Sequence, residues 1–193
     1  MNVTEKIKEE AKKAVEILKA GGTILYPTDT IWGIGCDATN ETAVKKIFEI
    51  KKREESKSLI VLIDAAEKLN KYVKDVPAVA WDLVEFSEKP LTIVYAGAVN
   101  MAKNLLSNDG TVAIRVVKND FCVELLRKFG KPVVSTSANI SGEETPLSFN
   151  GISREVITQV DYVVNLPLEK NKTGTPSTII KIDINGVIKF LRK

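Results

Sequence analysis

The sequence predicts one α/β domain, residues 1–193, built on a twisted, mixed β-sheet with helices on its faces. Three observations predict it. Helical stripes alternate with strand-length apolar runs along the chain, as a sheet covered by helices requires. Residues 59–63 (Leu-Ile-Val-Leu-Ile) are apolar without interruption, the pattern of a strand covered on both sides. Asn185-Gly186 lies between the apolar runs 179–184 and 187–191, a two-residue hairpin signal that argues against a purely parallel sheet.

The elements follow in order. Ile7, Ala11, Ala14, Val15 and Leu18 form one helical stripe after a candidate cap at Thr4, and Gly21-Gly22 ends that helix. Residues 23–26 read as a strand that stops at Pro27, which cannot donate to a sheet ladder. The next helix, Glu41–Lys51, turns Val44, Ile47 and Phe48 inward from a cap at Asn40. After the strand at 59–63, Asp64 opens a short helix, and another begins near Pro77, where a first turn tolerates proline. Leu91–Tyr95 and 112–117 are strands. Asp120 caps a helix carrying Phe121, Leu125, Leu126 and Phe129, which Gly130 closes. A short strand at 132–135 runs into a Ser/Asn loop, 152–160 read as helix and 162–164 as extended. Segments 142–146 and 169–174 have loop composition. In the last strand, the two-residue turn places Ile188, Phe190 and Arg192 on one face.

Composition excludes several chemistries. The 193 residues contain no histidine, so Ser-His-Asp and Cys-His hydrolases and His-ligated metal sites are ruled out. Cys36 and Cys122 are the only cysteines, and Cys36 has no base in sequence to activate it, so it reads as a structural thiol. With no apolar stretch of membrane-spanning length and no secretion signal at the N-terminus, a cytoplasmic protein is expected. The net charge of +3 is too small to argue for nucleic acid by itself. Basic residues do gather locally: Lys45, Lys46, Lys51, Lys52, Arg53 and Lys57 fall within thirteen residues, and part of that run is a solvated helix face.

Four short segments carry the candidate chemistry. Residues 26–37 read Tyr-Pro-Thr-Asp-Thr-Ile-Trp-Gly-Ile-Gly-Cys-Asp, where Thr28 and Thr30 offer hydroxyls and Gly33 and Gly35 let a ligand approach the main chain. Lys51 and Arg53 flank Lys52 at a helix end, where cations complement the negative end of the helix or bind phosphate. Ser137 and Asn139 follow a strand, as turn formers or as uncharged hydrogen bonders for a nucleotide. Thr175-Pro176-Ser177-Thr178 enters another apolar run. Arg115 shares a strand face with Ala113, opposite Val112, Ile114 and Val116. A lone arginine there needs an anion, supplied by an Asp or Glu of the protein or by a substrate.

These segments, in this order between about residues 21 and 180, resemble the YrdC family, the ATP-dependent L-threonylcarbamoyladenylate synthases of tRNA modification. The resemblance implies a YrdC-like fold with an open basic cavity, and a reaction of L-threonine, bicarbonate and ATP that releases pyrophosphate. It implies Lys51 and Arg53 as catalytic, and Arg53, Lys57, Thr111, Ser137, Asn139, Thr145 and Arg192 as ATP contacts. Thr30, Arg115, Ser135 and Ser177 match positions that hold threonine. Mg²⁺ is expected with ATP, and no organic cofactor. The implied partners are a downstream tRNA threonylcarbamoyl transferase and tRNA or double-stranded RNA, with no membrane. Three departures stand out: Val116-Val117-Lys118-Asn119 lacks the family's Val-Pro-x-His, Ser58 replaces a common proline, and Trp32 replaces a tyrosine. An RNA-binding module, or a relative with altered carbamoyl-transfer chemistry, is the alternative reading.

Overall fold

Asn2 starts the first helix, α1 (Val3–Lys19): its side chain accepts from the Glu5 amide at 2.8 Å, and Glu5 accepts from the Asn2 amide at 2.9 Å. The cap therefore lies two residues before the expected Thr4. A one-residue displacement occurs at α5 (Asp120–Phe129), where Asn119 is the cap and accepts from the Cys122 amide at 3.0 Å. Asp120 sits instead in the first turn, where its charge favours the positive end of the helix. In both places two capping residue types are close neighbours, and the helix takes the earlier one. The structure, a computed structural model, describes residues 2–54, 59–165 and 174–193. Lys57, Ser58 and most of the expected loop at 169–174 lie outside them.

The remaining elements are β1 (Ile24–Pro27), β2 (Trp32–Gly35), α2 (Glu41–Lys51), β3 (Ile60–Ile63), α3 (Leu69–Tyr72), α4 (Ala78–Phe86), β4 (Leu91–Tyr95), β5 (Val112–Val116), β6 (Val133–Ser137), α6 (Arg154–Gln159), β7 (Tyr162–Val163), β8 (Thr178–Ile182) and β9 (Ile188–Arg192). The sheet order is β7-β1-β2-β6-β3-β5-β4-β8-β9. The pairs β1/β7, β3/β5 and β4/β8 are parallel and the others antiparallel, so the sheet is mixed as expected. Strand β2 holds the two glycines expected to let a ligand approach the main chain. Those glycines are strand residues: a Cβ on Gly35 would collide with the Val134 carbonyl oxygen of the neighbouring strand, and one on Gly33 would press on Ser135 Oγ.

One sheet face carries Ile34, Val61, Ile63, Ile93, Ile114, Val134 and Ile180 into a core closed by Val44, Ile47 and Phe48 of α2 and Leu69 of α3. On the other face, Ile24, Tyr26, Leu62 and Val133 pack under α1 and α5. Along the same face, Ile60, Ser135, Arg115 and Ile179 line a cavity instead. Among the described residues, no helix is long and apolar enough to cross a membrane.

The terminal hairpin differs from the two-residue Asn-Gly turn. The Asp183 carboxylate accepts from the Asn185 and Val187 amides, both at 2.9 Å, and Gly186 takes φ +83°. Asp183 thus captures the chain before Asn185 can form the tighter turn. Further along, Ile180 pairs with Phe190 but Ile179 pairs with Arg192, leaving one extra residue in β9. Arg192 consequently shares the face of Ile179, opposite Phe190, and the expected grouping of Ile188, Phe190 and Arg192 does not hold at its last member.

The close approach of β2 to β6 generates a prediction. Gly35→Ala should destabilise the protein by about 3 kcal/mol, the upper range for overpacking, because the obstructing atom is backbone. Equilibrium urea unfolding measures it; a change below about 1 kcal/mol would mean that the two strands can separate.

Candidate functional site

The cavity on the uncovered part of the sheet has a volume of about 190 Å³. The chain enters it where Pro27 ends β1, and residues 28–31 turn back into β2 across its rim. Thr28 Oγ1 donates to the Ile31 carbonyl at 2.7 Å and accepts from the Thr30 amide at 3.1 Å, so the turn is fixed by its own side chain. Thr30 Oγ1 lies 2.9 Å from Thr28 Oγ1 and accepts from Arg115 Nη1 at 3.4 Å.

Arg115 is 4% exposed, and its protein anion is Asp29, whose Oδ1 lies 3.1 Å from Nη2. Sequence reasoning left that anion open and did not single out Asp29. Ser177 enters from the segment before β8, where its Oγ lies 2.8 Å from Thr92 Oγ1, a fully buried hydroxyl also missed. Arg192 closes the far side: Nε and Nη2 donate to the Ser177 carbonyl at 3.0 and 2.8 Å. Its pKa is lowered by burial and then by the Arg115 charge. Cations therefore crowd here around space that an anion would relieve.

Arg53 reaches the cavity because α2 ends in a left-handed residue: Lys52 takes φ +47°, and the Arg53 amide bonds back to the Phe48 carbonyl. The same turn sends Lys52 outward to Glu155 at 2.7 Å. Burial lowers the Arg53 pKa as well.

Lys51 behaves differently from its expected role at the phosphates. Its side chain does not line the cavity. It is 1% exposed, and its ammonium donates to the Ser137 and Asn139 carbonyls at 2.6 Å each, with Asn139 Oδ1 at 3.2 Å and Ser137 Oγ at 3.4 Å. Its own carbonyl accepts from the Ser141 amide. Burial, and then Arg53, bring its pKa down to about 8. The ammonium ties the end of α2 to the loop after β6.

Of the other candidates, Thr30, Arg53, Arg115, Ser135, Ser137, Thr145, Ser177 and Arg192 all line the one cavity. Asn139 and Thr111 do not: the Asn139 amide donates to the Glu143 carbonyl at 2.7 Å, and the Thr111 hydroxyl donates to Asp109 at 2.6 Å. Lys57 is outside the described residues. Trp32 packs on Phe149 with ring centroids 5.0 Å apart, forming an apolar wall. Cys36 is buried, and burial pushes its thiol pKa up, so it is no nucleophile.

A family model for the Sua5/YciO/YrdC group, described as telomere recombination, matches residues 16–193. The chain belongs to this family. It is 39% identical over 178 residues to the threonylcarbamoyl-AMP synthase of Pseudoalteromonas translucida, an alignment covering 91% of this chain and 94% of that one. Its fold is similar to P. abyssi Sua5 complexed with L-threonine, at TM-score 0.87 and 27% identity, covering 96% of this chain and 54% of that one. This chain thus spans about half of that larger family member. The fold also matches E. coli YciO, at TM-score 0.81 and 24% identity, over 96% of this chain and 89% of the other. Against these Sua5/YciO/YrdC proteins the mixed sheet and its flanking helices are the shared frame.

Lys51 gives a prediction on its own. The ¹⁵N resonance of its ζ-nitrogen should titrate with a midpoint of about 8, well below exposed lysines. The folded protein then binds fewer protons than the unfolded chain between that pH and the ordinary lysine pKa. The Lys51 contribution to stability consequently rises with pH across this window and is lost as pH falls through the folded value. A midpoint near the ordinary lysine value would mean that the four oxygens outweigh burial.

Proposed function

We propose that this protein makes L-threonylcarbamoyladenylate from L-threonine, bicarbonate and MgATP. The observation that carries the reading is the cavity on the uncovered part of the sheet. It combines three arginines with the hydroxyls of Thr30, Ser135 and Ser177, in a chain whose relative is named threonylcarbamoyl-AMP synthase.

The neutral threonine amine adds to bicarbonate and water leaves, giving an N-carboxy anion. One oxygen of that carbamate attacks the α-phosphorus of ATP. The bond from that phosphorus to the bridging oxygen breaks, and pyrophosphate departs; Mg²⁺ brought in with ATP would supply further neutralisation of the polyphosphate charge. This is nucleotidyl transfer, in which positioning and charge stabilisation carry most of the burden. Arg115 takes the threonine carboxylate, and Thr30, Ser135 and Ser177 take the amino acid's polar groups. Arg53, Arg192, Ser137 and Thr145 address the polyphosphate, where a guanidinium presents a planar fork to two oxygens. Lys51 acts one step back, fixing the loop that presents Ser137. Asn139 contributes through the same hydrogen bonding to Lys51. The absence of histidine fits, because the attacking carbamate is already anionic. The product, a reactive mixed anhydride, suits transfer to tRNA by a separate threonylcarbamoyl transferase.

Pyrophosphate release should require both threonine and bicarbonate. Valine should be a poor substitute, since a site that hydrogen-bonds a substrate hydroxyl can reject the analogue lacking it by up to roughly 10⁴. Turnover with valine equal to that with threonine, or none with threonine, would favour an RNA-binding module or altered carbamoyl transfer. Arg53→Ala should lower kcat by about 10²–10³, the usual effect of losing one preorganised donor. Lys52→Ala should stay within about twofold of the parent, since exposed ion pairs contribute little. A sharp fall in melting temperature for Arg53→Ala, with normal activity per folded molecule, would make that residue structural.

A further inference from the structure

Arg115 needs a counter-charge on the protein before any substrate arrives, and the only carboxylate beside it among the described residues is Asp29. The two side chains are 4% and 15% exposed. A pair this buried is strongly coupled, because removing one partner leaves an uncompensated charge. Their positions are not equivalent. Arg115 lines the cavity with Ser135 and Ser177, and Asp29 does not. Asp29 lines a second, larger cavity of about 430 Å³ between Val3 and Ile7 of α1, Ser87–Leu91 and the start of α5. It stands behind Arg115, in the wall between the two spaces.

Among the described residues, the guanidinium is held by the short turn after Pro27. Asp29 Oδ1 faces Nη2, Thr30 Oγ1 accepts from Nη1 at 3.4 Å, and Nε finds no hydrogen-bond acceptor among the described residues. Thr30 and Asp29 belong to one short turn, which Thr28 fixes through the Ile31 carbonyl. A buried arginine with one donor unanswered has room for a further acceptor. The larger cavity leaves part of Asp29 hydrated, which limits the desolvation cost of the pair.

We infer that Asp29 is a positioning residue for amino-acid recognition: it fixes the plane of the Arg115 guanidinium from behind, leaving the cavity side for the substrate carboxylate. The inference rests on the reading that Arg115 receives that carboxylate. It assigns a purpose to the carboxylate in the hydroxyl-rich turn after Pro27 without requiring Asp29 to touch substrate. Removing the charge while keeping the shape frees the guanidinium to rotate and raises its local repulsion with Arg192.

The test is a double-mutant cycle on Asp29 and Arg115, read as Michaelis constants in the pyrophosphate-release assay. Asp29→Asn should raise KM for threonine about tenfold and leave KM for ATP within about twofold. In an Arg115→Met background the same substitution should have no further effect on threonine, because its influence passes through the missing guanidinium. Additive effects, or equal changes in both Michaelis constants, would overturn the inference and make Asp29 a general structural residue. If Arg115→Met leaves KM for threonine unchanged, the carboxylate reading itself fails, and the role of Asp29 with it. If Arg115→Met raises KM for threonine and Asp29→Asn does not, only the inference about Asp29 falls. Should Asp29→Asn not fold, Asp29→Glu carries the test. It keeps the buried pair but displaces the carboxylate by one methylene, and it should raise KM for threonine several-fold; an unchanged value would overturn the inference.

Discussion

One buried ammonium joins the two halves of the site. Lys51 closes α2, and its Nζ meets the Ser137 and Asn139 carbonyls at 2.6 Å. Through it, the helix that delivers Arg53 and the strand that delivers Ser135 and Ser137 are held at a fixed separation. A lysine can do this because its ammonium offers three donors on a thin stem, where a guanidinium would need a wider, planar opening. The arrangement costs desolvation, which is why the pKa falls, and the carbonyl contacts offset it. Arg53 is thereby placed relative to Ser135 and Ser137.

The sheet supplies the other side of that frame. α1 and α5 cover one part of its second face with Ile7, Leu18, Phe121 and Leu125, and the cavity occupies the part they leave open. Antiparallel pairing of β2 with β6 and of β6 with β3 sets Gly33 beside Ser137 and Ser135 beside Ile60. Parallel pairing of β4 with β8 brings Thr92 next to Ile179, just beyond Ser177. The bulge in β9 then turns Arg192 toward this same face. Residues from six strands line one cavity in this mixed topology; a purely parallel sheet would need a crossover between each pair.

Much of this was legible in the sequence, for reasons that can be stated. Arg115 announced itself because strand alternation put it opposite Val112, Ile114 and Val116, and all three pack into the apolar core. The Ser137 and Arg53 positions were found through short motifs in which neighbours in sequence remain neighbours in space. Asp29 and Thr92 were not found, since each is defined by a partner more than eighty residues away. The surroundings of Lys51 were not legible for a related reason: at a helix end, sequence gives the charge but not the carbonyls that will surround it. The caps at Asn2 and Asn119, the glycines of β2 and the Asp183 turn were missed where two local solutions compete. In each case a specific hydrogen bond or close strand approach decides.

A chain without histidine must arrange its electrostatics in advance, since it has no ordinary side chain that changes charge near neutral pH. The cavity meets that condition with guanidiniums, which stay charged despite burial. Among the described residues, Arg192 bonds to the Ser177 carbonyl and to no carboxylate, so these contacts hold its charge in place without neutralising it. Arg115 is balanced from behind, and its neighbour Arg192 still registers its positive field. Neutral acceptors fix the direction of a cation while leaving its charge for an incoming anion; a carboxylate in their place would compete with it. The backbone carbonyls and hydroxyls around this cavity therefore leave the charge of Arg192 available to an anion, and the groups that orient Arg192 and Lys51 are uncharged among the described residues.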